Sequence, residues 1–372
     1  MASVVHLTGV HRPFDTRIFH KECKTLAQAG YEVILVAPLD REVVVGGVRV
    51  RPLSKTNTRL ARMTLTAYRV YRAALEEDAD IYHVHDPELL LCAQLLRMRG
   101  KRVIYDMHES PPKQILTKPW IPRLLRGAVA RVYRLCEPAL MRGLPVVFAE
   151  YSYHSDYEWV RRYVVVLNMP IPDRLLGMRE PKHDAHTIGY IGGVAPARGS
   201  TITLEALRIL KRRGREVHFE CVGPASETHK TQLERLVNAY GLDGIRFRGY
   251  MLPDNGWRLI SCCHIGVALL KPTPNYVESY PTKMFEYMAM GLPVIVSDFP
   301  LYREVVEGAR CGLCVDPVEP QDVADAIEWL LDHPEEAWAM GRRGREAVRT
   351  QYNWDIEAEK LLRFYAEVLR PR

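Results

Sequence analysis

Short β-branched runs alternate with segments of helical period along the whole chain. In the first half these runs fall at 4–8, 33–37, 81–85, 103–107, 146–149 and 164–167, each of the length that a buried strand requires. Between the first two, Ile18, Phe19, Cys23, Leu26 and Ala27 recur at helical spacing; Asp15 or Thr16 can cap the start, and Gly30 ends it. Repeated units of this kind predict a parallel sheet with helices on both faces. The pattern restarts at 187–193 and continues through 217–222, 245–247, 265–269 and 294–296. Segment 168–185 holds Pro170, Pro172 and Pro181 without a clear period, which marks a linker. The expected fold class is therefore α/β, with two doubly wound parallel-sheet domains at 1–175 and 186–353. Helices at 321–331, 334–349 and 354–369 close the chain, and the terminal segment 354–372 is expected to complete the first domain.

Composition narrows the class. A chain of 372 residues with 47% apolar and 26% charged positions can bury two cores. No apolar run is long enough for a membrane span, and residues 1–7 lack a basic and a long apolar region, so a cytoplasmic protein is expected. Eight cysteines are too few for a disulfide framework. Cys311 and Cys314 read as packing residues of a short strand rather than a redox pair, and Cys262-Cys263 as a helix-end packing pair.

The net charge of +6 is uneven: residues 1–180 hold 27 Lys/Arg against 19 Asp/Glu, and residues 181–372 hold 24 against 26. Within 113–142, Lys113, Lys118, Arg123, Arg126, Arg131, Arg134 and Arg142 face Glu137 alone. Leu124, Leu125, Ala128, Val132, Leu135 and Leu140 share that stretch. Residues 122–142 thus read either as a solvated helix face or as a helix with arginine and leucine on opposite faces, suited to an anionic membrane surface. Nucleic acid is not expected as a partner, because no aromatic platform or nucleic-acid motif accompanies the charge.

Ligands of open α/β sheets bind beyond the carboxyl ends of the strands, and the residues there are unusually polar. In the segment from Glu278 to Glu286, Pro281 suits a helix first turn, and Met284, Phe285, Met288 and Ala289 form an apolar stripe. That places Glu286 inside the helix beside Lys283 and leaves Glu278 in the loop. The bland alternative is a Lys283 to Glu286 surface pair with a solvated Glu278. The functional one is an anion site at a helix start, flanked by carboxylates that accept from hydroxyls. Gly192-Gly193 ends a strand and Arg198-Gly199 opens the next helix, a second such site, and two in one domain suggest a diphosphate. Neither the Walker loop nor the dinucleotide glycine fingerprint is present. His83 and His85 share one face of a strand and Asp86 follows. A metal-dependent hydrolase would need more ligands than His108 adds, so an acceptor-contacting edge is expected and no metal. Asp78-Ala79-Asp80 reads as a turn. Asp15 is divided between helix cap and site, and Arg17, a cation in a first helical turn, points to anion binding.

These residues resemble the retaining nucleotide-sugar glycosyltransferases of group one, family four. The strongest match is Glu278-x7-Glu286 followed by Tyr287 to Ile295. Segment 6–22, Asp106-Met107-His108-Glu109 and 311–317 are similar to further blocks, so nearly the whole chain is covered in order. The resemblance implies two facing Rossmann-like domains, the GT-B architecture, the first for the acceptor and the second for the donor. It implies a metal-independent, retaining hexosyl transfer from a nucleotide sugar, UDP-linked by preference, to a glycan or lipid-linked acceptor of the cell envelope. No cofactor is needed beyond that co-substrate. By position, Glu278 would bind donor-sugar hydroxyls, Glu286 the ribose, and His108 would sit by the donor sugar. Arg198 and the amides around Pro281, Thr282 and Lys283 would hold the diphosphate, with Gly9 and Gly193 allowing close approach and Tyr250 and Met251 meeting the base. Family members often place an Arg after the glycine and a Lys before the helix glycine. This chain has Gly193 and Arg198 there, so one phosphate cation is absent or replaced by Lys283. A sugar-nucleotide epimerase of the same architecture and a non-catalytic partner subunit are the alternatives.

Overall fold

The structure is a computed structural model that describes residues 1–54, 58, 61–117, 121–178 and 180–370. Lys118 of the basic segment and residues 371–372 of the expected last helix lie outside the described residues. The chain forms two compact units, Met1–Asn168 with the last helix Trp354–Leu369, and Met169–Asn353.

The first unit carries β1 (Ser3–Leu7), β2 (Glu32–Pro38), β3 (Val43–Val45), β4 (Val48–Leu53), β5 (Ile81–Val84), β6 (Arg102–Met107), β7 (Val146–Phe148) and β8 (Tyr163–Val165). They form one sheet in the order β3-β4-β2-β1-β5-β6-β7-β8. All neighbours pair in parallel except β3 with β4. The β3/β4 hairpin was not expected. Its turn is Gly46-Gly47, both at positive φ, a hairpin signature that the sequence carries openly. Val48 and Val50 of β4 are buried, while Arg49 and Arg51 between them pair with Glu77.

The second unit carries β9 (Thr187–Ile191), β10 (His218–Val222), β11 (Ile245–Gly249), β12 (Ile265–Ala268), β13 (Val294–Ser297) and β14 (Gly312–Val315), in the order β11-β10-β9-β12-β13-β14 and parallel throughout. In both units the first strand lies between two strands that run outward in opposite chain directions. The carboxyl ends of β1 and β9 are therefore the topological switch points at which such sheets bind ligands.

The first unit ends at Asn168 rather than at 175, because residues after it are tied to the second. Arg174 pairs with Asp254 at 2.6 Å, and Arg345 donates to the carbonyls of Leu176 and Met178. The helix Trp354–Leu369 returns to the first unit. Trp354 Nε1 donates to Thr25 Oγ1 at 2.8 Å, and the Glu357 carboxylate accepts from the buried Leu167 amide at 2.8 Å.

The first helix departs from its expected period. Thr16–Cys23 is π-helical and only Lys24–Gln28 is α-helical. Phe19 and His20 both donate their amides to the Asp15 carbonyl, while Asp15 Oδ1 accepts from the amides of Arg17 and Ile18. The wider turn brings Arg17, Lys21 and Glu22 inside together with Ile18, Phe19 and Cys23. All eight cysteines are free, with Cys311 buried and Cys314 within β14. Asp78 ends the helix Ala67–Glu77 at φ 42° and Asp80 accepts from the Ser3 amide, so that acidic pair is a turn. Among the described residues no helix is long and apolar enough to cross a membrane.

Glu357→Ala should lower stability by ~1–3 kcal/mol, because it leaves the buried Leu167 amide without an acceptor. Urea unfolding monitored by circular dichroism measures this, with Glu357→Gln, which keeps an acceptor, expected to lose less. An unchanged midpoint in Glu357→Ala would remove this contact from the docking of the last helix.

Candidate functional site

At the end of β9 the backbone turns through Gly192 at φ 130°, and the loop after β10 passes Gly223 at φ 145°. A Cβ on Gly223 would stand 1.8 Å from the Gly192 carbonyl oxygen, so these two loops approach at a distance only glycine permits. Arg198 ends a short 3₁₀ turn, Pro196–Arg198, ahead of the helix Ser200–Arg212. Its Nε donates to the Tyr276 hydroxyl at 3.2 Å. Lys283 lies in the first turn of the helix Thr282–Ala289; its Nζ donates to the Tyr190 hydroxyl at 2.9 Å, and that hydroxyl donates to the Gly193 carbonyl at 2.6 Å.

Two cations thus converge on one glycine pair. A Cβ on Gly192 would lie 3.3 Å from Lys283 Nζ, and one on Gly193 would lie 3.7 Å from Arg198 Nη1. Lys283 is buried, so it is not a surface partner of Glu286, whereas Glu278 is exposed as the bland alternative has it. Among the described residues neither Arg198 nor Lys283 forms an ion pair. Burial first, and then the Arg198 charge, pull the Lys283 amine down to about 7. Such an arrangement favours an anion that bridges both cations.

Pro281 is the residue before the helix rather than within it, and Thr282 is the first helical residue. Glu286 follows one turn later and is half-buried; Glu278, at the end of the short turn Pro274–Val277, is exposed. Tyr250 and Met251 follow Gly249 at the end of β11, and Tyr250 is exposed. All these residues belong to the carboxyl-end loops of one sheet.

In the first unit the expected acceptor residues meet a different fate. His6 and His83 are register partners on β1 and β5. His6 Nδ1 lies 2.9 Å from His85 Nε2, and His85 Nδ1 lies 3.1 Å from His108 Nε2. His6, His83 and His85 are buried, and so is Asp106 at the end of β6. Burial holds the imidazoles of His6, His83 and His108 well below the usual range, which keeps them neutral. Arg17 does not wait for an external anion. It donates to Asp106 through Nη2 at 3.1 Å and Nε at 3.3 Å, and to the Val166 carbonyl through Nη1 at 2.8 Å. The π-helical turn is the reason, since it directs Arg17 inward. Against its burial, Arg17 holds the Asp106 carboxyl well below the usual range, whereas burial and the Asp106 charge push Glu22 well above it.

Asp15 is a helix cap. Asp86 is buried and accepts from the Gly9 amide at 2.6 Å and the Thr8 hydroxyl at 3.1 Å, so it shapes the loop after β1. A Cβ on Gly9 would lie 2.9 Å from Thr66 Cγ2, which ties that glycine to packing. His108 and His11 remain partly open, with side chains 16% and 32% exposed. His6 and Glu22 escaped the sequence reading. The alternation of His6 with the face shared by His83 and His85 was a usable signal for the first; only the π-helical register reveals the second.

The model of the group 1 glycosyl transferases matches residues 178–347, and that of the glycosyl transferase 4-like domain matches residues 16–166. The chain belongs to the group 1 glycosyltransferases. Among relatives of this glycosyltransferase, the phosphatidyl-myo-inositol mannosyltransferase of Mycobacterium leprae is 26% identical over 91% of this chain and 89% of its own. The alpha-D-kanosaminyltransferase of Streptomyces kanamyceticus is 27% identical over 50% of this chain, and the match spans 46% of that relative. A GDP-mannose-dependent alpha-(1-6)-phosphatidylinositol monomannoside mannosyltransferase of Mycobacterium tuberculosis is 30% identical over 48% of this chain and 46% of its own. The sucrose-phosphate synthase of Thermosynechococcus elongatus shares the fold at a TM-score of 0.78 and 16% identity, over 99% of both chains. Anabaena HepE, solved with UDP and glucose, shares it at 0.75 and 13% identity, over 99% of this chain and 100% of that one.

The lowered Lys283 amine generates a pH dependence. A bound diphosphate favours charged Lys283, so affinity should be highest below pH 7 and fall up to ~10-fold per pH unit above it, until the amine of the complex also deprotonates. Calorimetry with inorganic pyrophosphate from pH 6 to 9 should show proton uptake that Lys283→Met abolishes. Equal slopes in the two proteins would exclude Lys283 from the anion site.

Proposed function

We propose that this glycosyltransferase moves a sugar from a nucleoside diphosphate donor to a hydroxyl acceptor with retention, without a divalent cation in the chemical step. The observation that carries the reading is the convergence of Arg198 and Lys283 on Gly192-Gly193 at the switch point of the donor sheet. The bond from the anomeric carbon to the diphosphate oxygen breaks, and its electron pair stays on the diphosphate. The acceptor oxygen bonds to the anomeric carbon on the same face and passes its proton to a departing phosphate oxygen, so no protein nucleophile takes part. The protein's largest contribution is then fixed positive charge where negative charge grows. Glu278 would accept from sugar hydroxyls and Glu286 from ribose hydroxyls, with Tyr250 and Met251 beside the base. His108 keeps its place beside the donor sugar, and on the acceptor side we assign the partly open His11 in place of the buried His83 and His85.

A UDP-sugar is the favoured donor, supported by the UDP bound in HepE. The GDP-mannose named for the Mycobacterium tuberculosis relative makes GDP the competing base. A cell-envelope glycolipid is the favoured acceptor class, supported by the phosphatidylinositol named in that relative and in the Mycobacterium leprae one.

Glu286→Ala should weaken UDP binding by ~1–3 kcal/mol, the range for a hydrogen bond to a charged group, and leave the fold intact. Turnover should be unchanged when Mg2+ and Mn2+ are omitted. Unaltered UDP affinity in a folded Glu286→Ala would remove that residue from the ribose, and a requirement for stoichiometric Mg2+ would end the cation-pair account.

The helix Arg123–Met141 supports peripheral attachment to an anionic membrane. Only Ala130, Glu137 and Met141 of this helix are buried. Leu124, Val132 and Leu135 are 97%, 61% and 75% exposed, so this apolar face is uncovered. Arg126 caps the carbonyls of Leu116 and Ile121, which leaves Arg123, Arg131 and Arg134 for lipid. At ~1 kcal/mol for each arginine, replacing these three by Gln should release the protein from vesicles containing phosphatidylglycerol. Wild-type protein that stays in the supernatant at low salt would favour a water-soluble acceptor.

A further inference from the structure

We infer that the first unit holds a structural zinc ion, bound by His6 on β1, His83 and His85 on β5 and its extension, and Glu22 of the π-helical turn. One donor atom from each of these four residues lies within 4.8 Å of the others, and all four are buried. Three imidazoles and one carboxylate form a donor set suited to tetrahedral Zn2+.

The second, independent observation is what this cluster leaves unsatisfied. Both carboxylate oxygens of Glu22 and His83 Nε2 are buried without a hydrogen-bond partner. Arg17 Nε is 3.0 Å from Glu22 Oε1, but the guanidinium is aligned on Asp106 and Val166. Glu22 Oε1 therefore has a charged neighbour, whereas Glu22 Oε2 and His83 Nε2 stay buried and unsatisfied, and two such atoms in one cluster call for a common partner. A dication supplies it.

The outer atoms are already arranged for such an ion. His83 Nδ1 meets the Tyr365 hydroxyl, which also lies 3.5 Å from His6 Nε2. His85 Nδ1 lies 3.4 Å from Asp106 Oδ2. Each imidazole thus has a polar neighbour on its far side, the arrangement that orients metal-bound histidines. Because Tyr365 belongs to the last helix, the ion would tie that helix to β1 and β5.

The test uses the purified full chain. It is stripped with a chelator and titrated with Co2+ as a spectroscopic probe, followed by Zn2+. One Co2+ per chain is expected, with the intense visible bands of a four-coordinate site, displacement by one Zn2+, and a higher Tm with Zn2+. His83→Gln should lose the bands. Tyr365→Phe keeps the ring and removes only the hydroxyl, so it should remain folded and bind Co2+ ~10–100-fold more weakly. No uptake by folded wild-type protein, weak bands of a six-coordinate ion, or bands and affinity unchanged in both variants would overturn the assignment.

Discussion

Arg198 and Lys283 reach the same two glycines from different helix starts, and holding two cations together with neither in an ion pair among the described residues is the constraint on which the second unit's switch point is built. Like charges brought out of water disfavour the charged form, and Lys283 answers by releasing its proton near neutral pH. Tyr190 accommodates the amine meanwhile, through its hydroxyl at 2.9 Å and its ring face, whose centroid is 4.0 Å from Nζ. The repulsion is therefore tolerated rather than cancelled. An anion with two charged groups relieves it at both ends, which is why a diphosphate suits the place better than a single phosphate. The backbone requirements follow: Gly192 and Gly223 must nearly touch, and at Gly199 a Cβ would stand 2.4 Å from the Leu269 carbonyl oxygen.

The first unit solves the same topological problem with the opposite electrostatics. Its switch point also gathers polar groups, yet Arg17 is matched by Asp106 and burial keeps His6, His83 and His108 neutral. A buried ion pair of this kind must be closed by further hydrogen bonds to be tolerated, and the Val166 carbonyl on Arg17 Nη1 supplies one. The part that remains open there is the rim, His108 and His11, so a ligand at this rim would meet imidazole rings rather than the buried Arg17.

Strand positions and the break between units were legible because parallel strands buried on both faces read as continuous β-branched runs. The Glu278 to Glu286 spacing was legible for a similar reason: a proline and an apolar stripe locate a helix start, and with it the amides. Residues that depend on local register were not. Arg17 looked like a free cation while its turn was taken as α-helical; in the π-helical turn the same side chain faces inward. His83 and His85 looked available because strand alternation reveals a shared face but not what covers it, and Tyr365 arrives from 282 residues further along the chain. For Lys283 a surface pair with Glu286 stayed open beside the anion site, since burial of a charged residue leaves no trace in hydrophobic period.

The internal neutrality of the first unit bears on where its excess charge acts. Residues 1–180 carry eight more basic than acidic groups, 27 against 19. With Arg17 matched by Asp106 and His6, His83 and His108 neutral, that excess lies at the surface, and Arg123, Arg131 and Arg134 carry part of it beside an exposed row of leucine and valine. Surface charge acts only within a Debye length, about 8 Å at physiological salt. At that range it acts on a charged surface that this helix touches. The proposed donor capture by the second unit's cations and the proposed attachment through the first unit's helix are thus separable by salt. Ionic strength should weaken the attachment steeply, and it should act far less on partly buried charges such as Lys283.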